Sequence, residues 1–145
     1  MINILAVVKT GVFIDNIAPF LQTNGIEINK TCHYTPGALE LYKNLRPDIV
    51  IMDSDAKNDV YSIPDATRIR MLTDQNPSVK IIVMSNLYDP GTASRMHNLN
   101  IQGYFYRSIN NVTEEMVHCI KTVFRGETCF AEENQLRSSE WRDAG

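Results

Sequence analysis

The stretch RPDIVIMD, residues 46–53, decides the fold. Its apolar run, Ile49 to Met52, shows no polar alternation and ends on the carboxylate of Asp53. A strand wetted on one face would alternate, whereas a strand without alternation is covered on both faces, the place of a central strand in a parallel sheet. IIVM at 81–84 has the same character. Outward from these two, the spacing predicts strands over Ile2 to Val8, Ile26 to Cys32, Asp48 to Asp53, Lys80 to Ser85 and Gln102 to Tyr106.

Amphipathic stretches separate the strands. Ile14, Ile17 and Leu21 recur at helical spacing, as do Ala38, Leu39 and Leu45; Ile63 to Asp74 places Ile69 and Leu72 inward, and Asp89 to Leu99 is a more polar fourth helix. In the fifth, Asn111 reads as a cap with Glu114 reaching back, Met116, Ile120 and Val123 form the apolar stripe, and Gly126 ends it. Pro19 falls inside the first helical pattern, so that helix is expected to start late or to kink. Five repeats of strand and helix predict an α/β doubly wound parallel sheet over residues 1–127. Residues 128–145 lose periodicity and read as a short sixth helix from Ala131 to Leu136 followed by a linker or tail, with Trp141 as a docking residue.

The 145 residues form one domain, long enough to bury a core without disulfides or structural metal. A net charge of −3 excludes a protein that coats nucleic acid through clustered cations. Arg68, Arg70 and Arg95 read as scattered, solvated charges. MINILAVVKTGVF carries no cationic lead-in, and no apolar run approaches a membrane span, so a cytoplasmic protein is expected. Cys32, Cys119 and Cys129 have neither disulfide-framework nor metal-pair spacing and read as reduced thiols. His33, His97 and His118 lie on different elements, which argues against metal binding or a nucleophile and base pair.

In such a sheet ligands meet the carboxyl ends of the strands. That rule selects Val8, Lys9 and Thr10, then Asp53 to Asp55, Ser85 with Asn86, and Tyr106 with Arg107. RPDIVIMD, VMSN (83–86) and GYFYRS (103–108) together resemble the receiver domain of two-component response regulators. The resemblance implies a flavodoxin-like, CheY-like (βα)5 fold of strand order 2-1-3-4-5. It also implies Asp53 at the phospho-acceptor position, Ser85 and Tyr104 at the switch positions, and Arg107 where the family has lysine. The SN after strand four, the absence of proline after Arg107 and the ending VFRGETCF look most like NarL/LuxR-type regulators, with an ending similar to CsgD/VpsT-type biofilm regulators. A helix-turn-helix domain carries DNA binding in those proteins.

The chain departs from that pattern where the chemistry is. Val8 and Lys9 stand at the positions of the acidic pair that holds Mg²⁺, and neither a methyl-bearing side chain nor an ammonium ligates that cation. Asp53 with a carbonyl near Asp55 makes a poor site, so no cofactor is expected. Lys9 reads either as a built-in counter-ion in place of the metal or as a solvated lysine; neighbouring parallel strands lie about 4.8 Å apart, within its reach of Asp53. The expectation is an atypical receiver of a transcription regulator that works by protein contact, without enzymatic turnover. Its expected homodimer uses helix four, strand five and helix five, with a histidine kinase or another signalling protein as a further partner. The alternatives are an ordinary receiver phosphorylated on Asp53 and a cyclic-dinucleotide sensor, whose Trp-containing motif EWRD at 140–143 does not match.

Overall fold

The computed structural model describes residues 1–9, 11–33, 35–54, 65–86, 88 and 90–131. The elements run β1 (Ile2–Val7), α1 (Val12–Thr23), β2 (Ile26–Cys32), α2 (Thr35–Leu45), β3 (Ile49–Asp53), α3 (Asp65–Gln75), β4 (Ile81–Ser85), α4 (Pro90–His97), β5 (Gly103–Tyr106), α5 (Val112–Phe124) and β6 (Cys129–Phe130). All strands are parallel, in the order β2-β1-β3-β4-β5-β6. The five expected strands and their order are those observed.

Alternate residues of each central strand feed two cores. Ile4, Ala6, Ile49, Ile51, Ile82 and Met84 pack with α1 and α5, while Leu5, Val7, Val50, Met52, Ile81 and Val83 pack with α2, α3 and α4. Both sets are apolar because both faces are covered, which is why the sequence shows no alternation there. The edge strand β2 differs, with exposed Glu27 and Lys30. Such charges discourage pairing with another chain.

Several local expectations are corrected. Helix α1 starts at Val12 despite Pro19 within it, and Ile14, Ile17 and Leu21 are buried as expected. Pro19 and Asp15 lie on the exposed side, so the carbonyl that proline leaves without a helical donor faces water. In α2 Leu45 is exposed, and Tyr42 turns inward instead, its hydroxyl accepting from Asn76 Nδ2 at 2.8 Å. Asn111 makes no side-chain cap to α5; it adopts a left-handed conformation, φ 56°, and its carbonyl accepts the Glu115 amide. The apolar stripe Met116, Ile120 and Val123 is fully buried. Gly126, φ 96°, ends α5, with its own amide on the Val123 carbonyl and that of Glu127 on Thr122. From the opposite side Lys80 Nζ donates to the Phe124 carbonyl at 2.8 Å, a cation on the negative end of the helix.

The largest correction concerns the tail. Cys129 and Phe130 form a sixth strand on β5, and the Ala131 amide continues the pairing to Tyr104 O, so Ala131 itself belongs to the sheet edge. Two residues are too few to show a period, and the outer edge of β5 supplies the partners that sequence periodicity cannot. Phe130 also stacks on His97 of α4, ring centroids 4.6 Å apart. The rest of the expected sixth helix, and Trp141, lie outside the described residues. Among the described residues no helix is long and apolar enough to cross a membrane.

Gly103 lies where β5, β4, β6 and α5 meet. A Cβ there would stand 3.0 Å from Ile82 Cγ1 and 3.3 Å from both the Cys119 sulfur and the Cys129 carbonyl. Gly103→Ala is therefore expected to cost about 1–3 kcal/mol through overpacking. A lowered denaturant midpoint at unchanged slope would show it, and an unchanged midpoint would refute it.

Candidate functional site

Asp53 closes β3 between β1 and β4, and only 4% of its surface is exposed. Both carboxylate oxygens are engaged by the chain itself. Oδ1 accepts from an Arg107 guanidinium nitrogen at 2.8 Å, and Oδ2 accepts from the Lys9 main-chain N–H at 3.0 Å. The Asp53 carbonyl in turn accepts from the Arg68 guanidinium. A buried carboxylate is costly unless paired and hydrogen-bonded, and here it is both.

The fold delivers each partner. Arg107 follows β5 directly, its amide bonded to Ser85 O at 2.8 Å, so its side chain starts at the carboxyl edge of the sheet. Its guanidinium carbon lies 5.3 Å from the centroid of the Phe13 ring on α1. A planar guanidinium can lie on an aromatic face while its rim donates to a carboxylate, which the compact ammonium of lysine cannot do in the same way. Arg107 Nε is buried and without a hydrogen-bond partner among the described residues, so the fork meets Asp53 with one edge only.

Position 8 is settled by the pleat. Val8, which follows the register pair Val7 and Met52 and so stands beside Asp53, is buried in the α1 and α5 core and offers only methyl groups there, and its carbonyl lies 3.1 Å from His33 Nδ1. Lys9 meets Asp53 through its peptide N–H, a donor that any residue but proline would supply, while the residue itself is exposed. The neutralising side chain in direct contact with Asp53 is thus Arg107. Arg68, read from sequence as a solvated charge, belongs to the site; it is 15 positions beyond Asp53, and nothing local marks it. His33 was also missed, its one signal being its place just after β2.

These residues do not fit Mg²⁺. The acidic-pair positions hold a core valine and an exposed lysine, and both Asp53 oxygens already face N–H donors. An oxygen-seeking cation would have to displace a guanidinium to gain a single carboxylate. Among the described residues no group of three or more His, Cys, Asp or Glu is placed to hold a metal. Asp55, the weak further ligand considered from sequence, and Thr10 lie outside the described residues.

Beside the carboxylate, Ser85 ends β4 one residue beyond Met84, the partner of Asp53 in register. Ser85 Oγ and the Tyr104 hydroxyl are 2.7 Å apart, and both residues are buried. The structure thus joins the two expected switch positions by a hydrogen bond. Tyr88 packs edge-on against Tyr106, centroids 5.4 Å apart.

No protein-family model matches the sequence, and neither does any curated protein. Solved structures do. A LuxR-family two-component response regulator from an Aurantimonas species superimposes with a TM-score of 0.77 at 15% identity, over 99% of this chain and 98% of that one. The isolated REC domain of RcsB from Salmonella enterica serovar Typhimurium, in the presence of phosphomimetic BeF3-, gives 0.75 at 17% identity over 94% and 96%. An RcsB structure described as two dimers bound to two parallel DNAs gives 0.76 at 16% identity, over 94% of this chain and 68% of that one. At such low identities the likeness is one of architecture: the chain has the receiver-domain fold seen in LuxR-family response regulators.

Proposed function

We propose that the chain is an atypical receiver domain of a LuxR-type transcription regulator, one that signals by protein contact and whose acceptor position is held by its own arginine. The observation that carries this reading is the Asp53 carboxylate, with Arg107 on one oxygen and the Lys9 amide on the other. Phosphoryl transfer to a carboxylate needs a free oxygen as nucleophile and a cation that neutralises the incoming charge. Around Asp53 both oxygens are already engaged, and the cation in contact, Arg107, is paired with the carboxylate itself. The reading assigns the domain to the cytoplasm, gives it no turnover and no cofactor, and leaves DNA contact to a helix-turn-helix domain. A histidine kinase would then act as a docking partner rather than as a phosphodonor.

Contact requires a surface. RcsB is described as dimeric on DNA, and a homodimer is the natural arrangement for a receiver that works without phosphorylation. Strand β6 already covers the outer edge of β5, which disfavours the expected face of α4, β5 and α5. Helices α1 and α5 pack side by side and leave Phe20 and Phe124 exposed, so we place the dimer there.

Three outcomes are expected. Incubated with Mg²⁺ and acetyl phosphate, the protein should gain no phosphoryl mass; robust, Mg²⁺-dependent modification of Asp53 would instead establish the ordinary phospho-receiver. Arg107→Met should cost about 2–3 kcal/mol, between an exposed and a fully buried pair, because the Arg107 side chain is 23% exposed and that of Asp53 only 5%. In a cycle with Asp53→Asn the two changes should couple by more than about 1 kcal/mol, and strict additivity would show that the pair contributes nothing. Finally, sedimentation should reveal a dimer with or without phosphodonor, weakened by Phe20→Glu or Phe124→Glu. A strict monomer at high concentration would remove this mode of action.

A further inference from the structure

Strand β6 brings two cysteines together. Gly103 and Cys129 are partners in register across the β5 and β6 ladder. A Cβ at Gly103 would stand 3.3 Å from the Cys119 sulfur, so that side of β5 is the one covered by α5. Partners in register on parallel strands project to the same face, and successive residues to opposite faces. Accordingly Cys129 packs with the cluster that contains Cys119, and Phe130 packs in the other. The Cys119 thiol also lies 3.5 Å from the Cys129 carbonyl, to which it donates. The glycine leaves a space, and the Cys119 sulfur occupies it.

The two thiols are unlike. Cys119 is buried, whereas Cys129 is partly exposed at the sheet edge. Beside that carbonyl contact, a side-chain hydrogen bond between the two thiols lowers the Cys129 pKa from its ordinary value despite burial, and the same thiol contact, followed by burial, holds Cys119 well above it. A partly exposed sulfur of lowered pKa beside a buried thiol is the arrangement of an attacking and a resolving cysteine. Cys32, at the end of β2, lies at the edge of the sheet opposite β5 and β6.

We propose that Cys129 and Cys119 form an oxidisable dithiol which a hydroperoxide converts into an intrachain disulfide joining β6 to α5. The Cys129 thiolate attacks one oxygen of hydrogen peroxide; an S–O bond forms, the O–O bond breaks, and hydroxide leaves to take up the thiol proton as water. The Cys119 thiol then attacks the Cys129 sulfenic sulfur; the S–S bond forms, the S–O bond breaks, and a second water departs with the Cys119 proton. Two thiols lose two electrons and one peroxide gains them. In the reduced protein β6 is tied by a short ladder, from the Cys129 amide to Gln102 O and from the Ala131 amide to Tyr104 O. The disulfide would clamp that strand against α5 and fix the outer edge of the sheet.

The test uses the full chain, reduced and then treated with hydrogen peroxide. Intact mass should fall by about 2 Da, the two hydrogens of one disulfide, with peptide mapping linking Cys119 to Cys129 and Cys32 still open to alkylation. Cys32→Ser should lose the same mass. Cys119→Ser should instead hold Cys129 as a sulfenic acid that dimedone captures. Oxygen addition without a cross-link, a link that involves Cys32, or three unreacted thiols would each overturn the proposal. Mapping of the unmutated protein decides the question even where a serine variant fails to fold.

Discussion

A carboxylate withdrawn from water at the end of a central strand has to be neutralised, and the rest of the site follows from how this chain does it. Asp53 is placed by the sheet, since β3 runs between β1 and β4 and its last residue has neighbours on both sides. Arg107 supplies the charge from just after β5, and Lys9, just after β1, supplies an amide. Leaving such a group unpaired would cost several kcal/mol, a large share of a domain's whole stability. The carboxyl edge of the sheet is therefore organised around one ion pair, and strands β1, β3 and β5 all contribute to it.

The architecture was legible because it rests on patterns that repeat. Unbroken apolar runs mark strands covered on both faces, and the buried residues of β3 and β4 are those the runs contain. Strand ends differed by a residue for a simple reason. Asp48 and Gln102 donate to neighbouring strands, on Asn3 O and Ile81 O, yet stand just outside the regular ladder. The positions of Asp53, Ser85, Tyr104 and Arg107 were legible as strand ends.

What stayed hidden depended on contacts between distant elements. Arg68 looks like any helical arginine until α3 is laid beside β3. The role of Lys9 was left open because a sequence displays side chains, while the contact with Asp53 is made by a peptide N–H. Strand β6 exists only because β5 has an open edge to pair with, and Asn111 takes a left-handed turn where its residue type suggested a side-chain cap. In each case a tertiary partner decided what local preference left open.

The seat of Arg107 on Phe13 ties a surface helix to the buried carboxylate. Phe13 belongs to the first turn of α1, one residue after the exposed Val12. Lifting that turn strips the ring from one face of the guanidinium and wets a charge pair that the ring had helped to keep dry. A protein that gripped the start of α1 would thus act on Asp53 at second hand, through an aromatic lever, without entering the crevice.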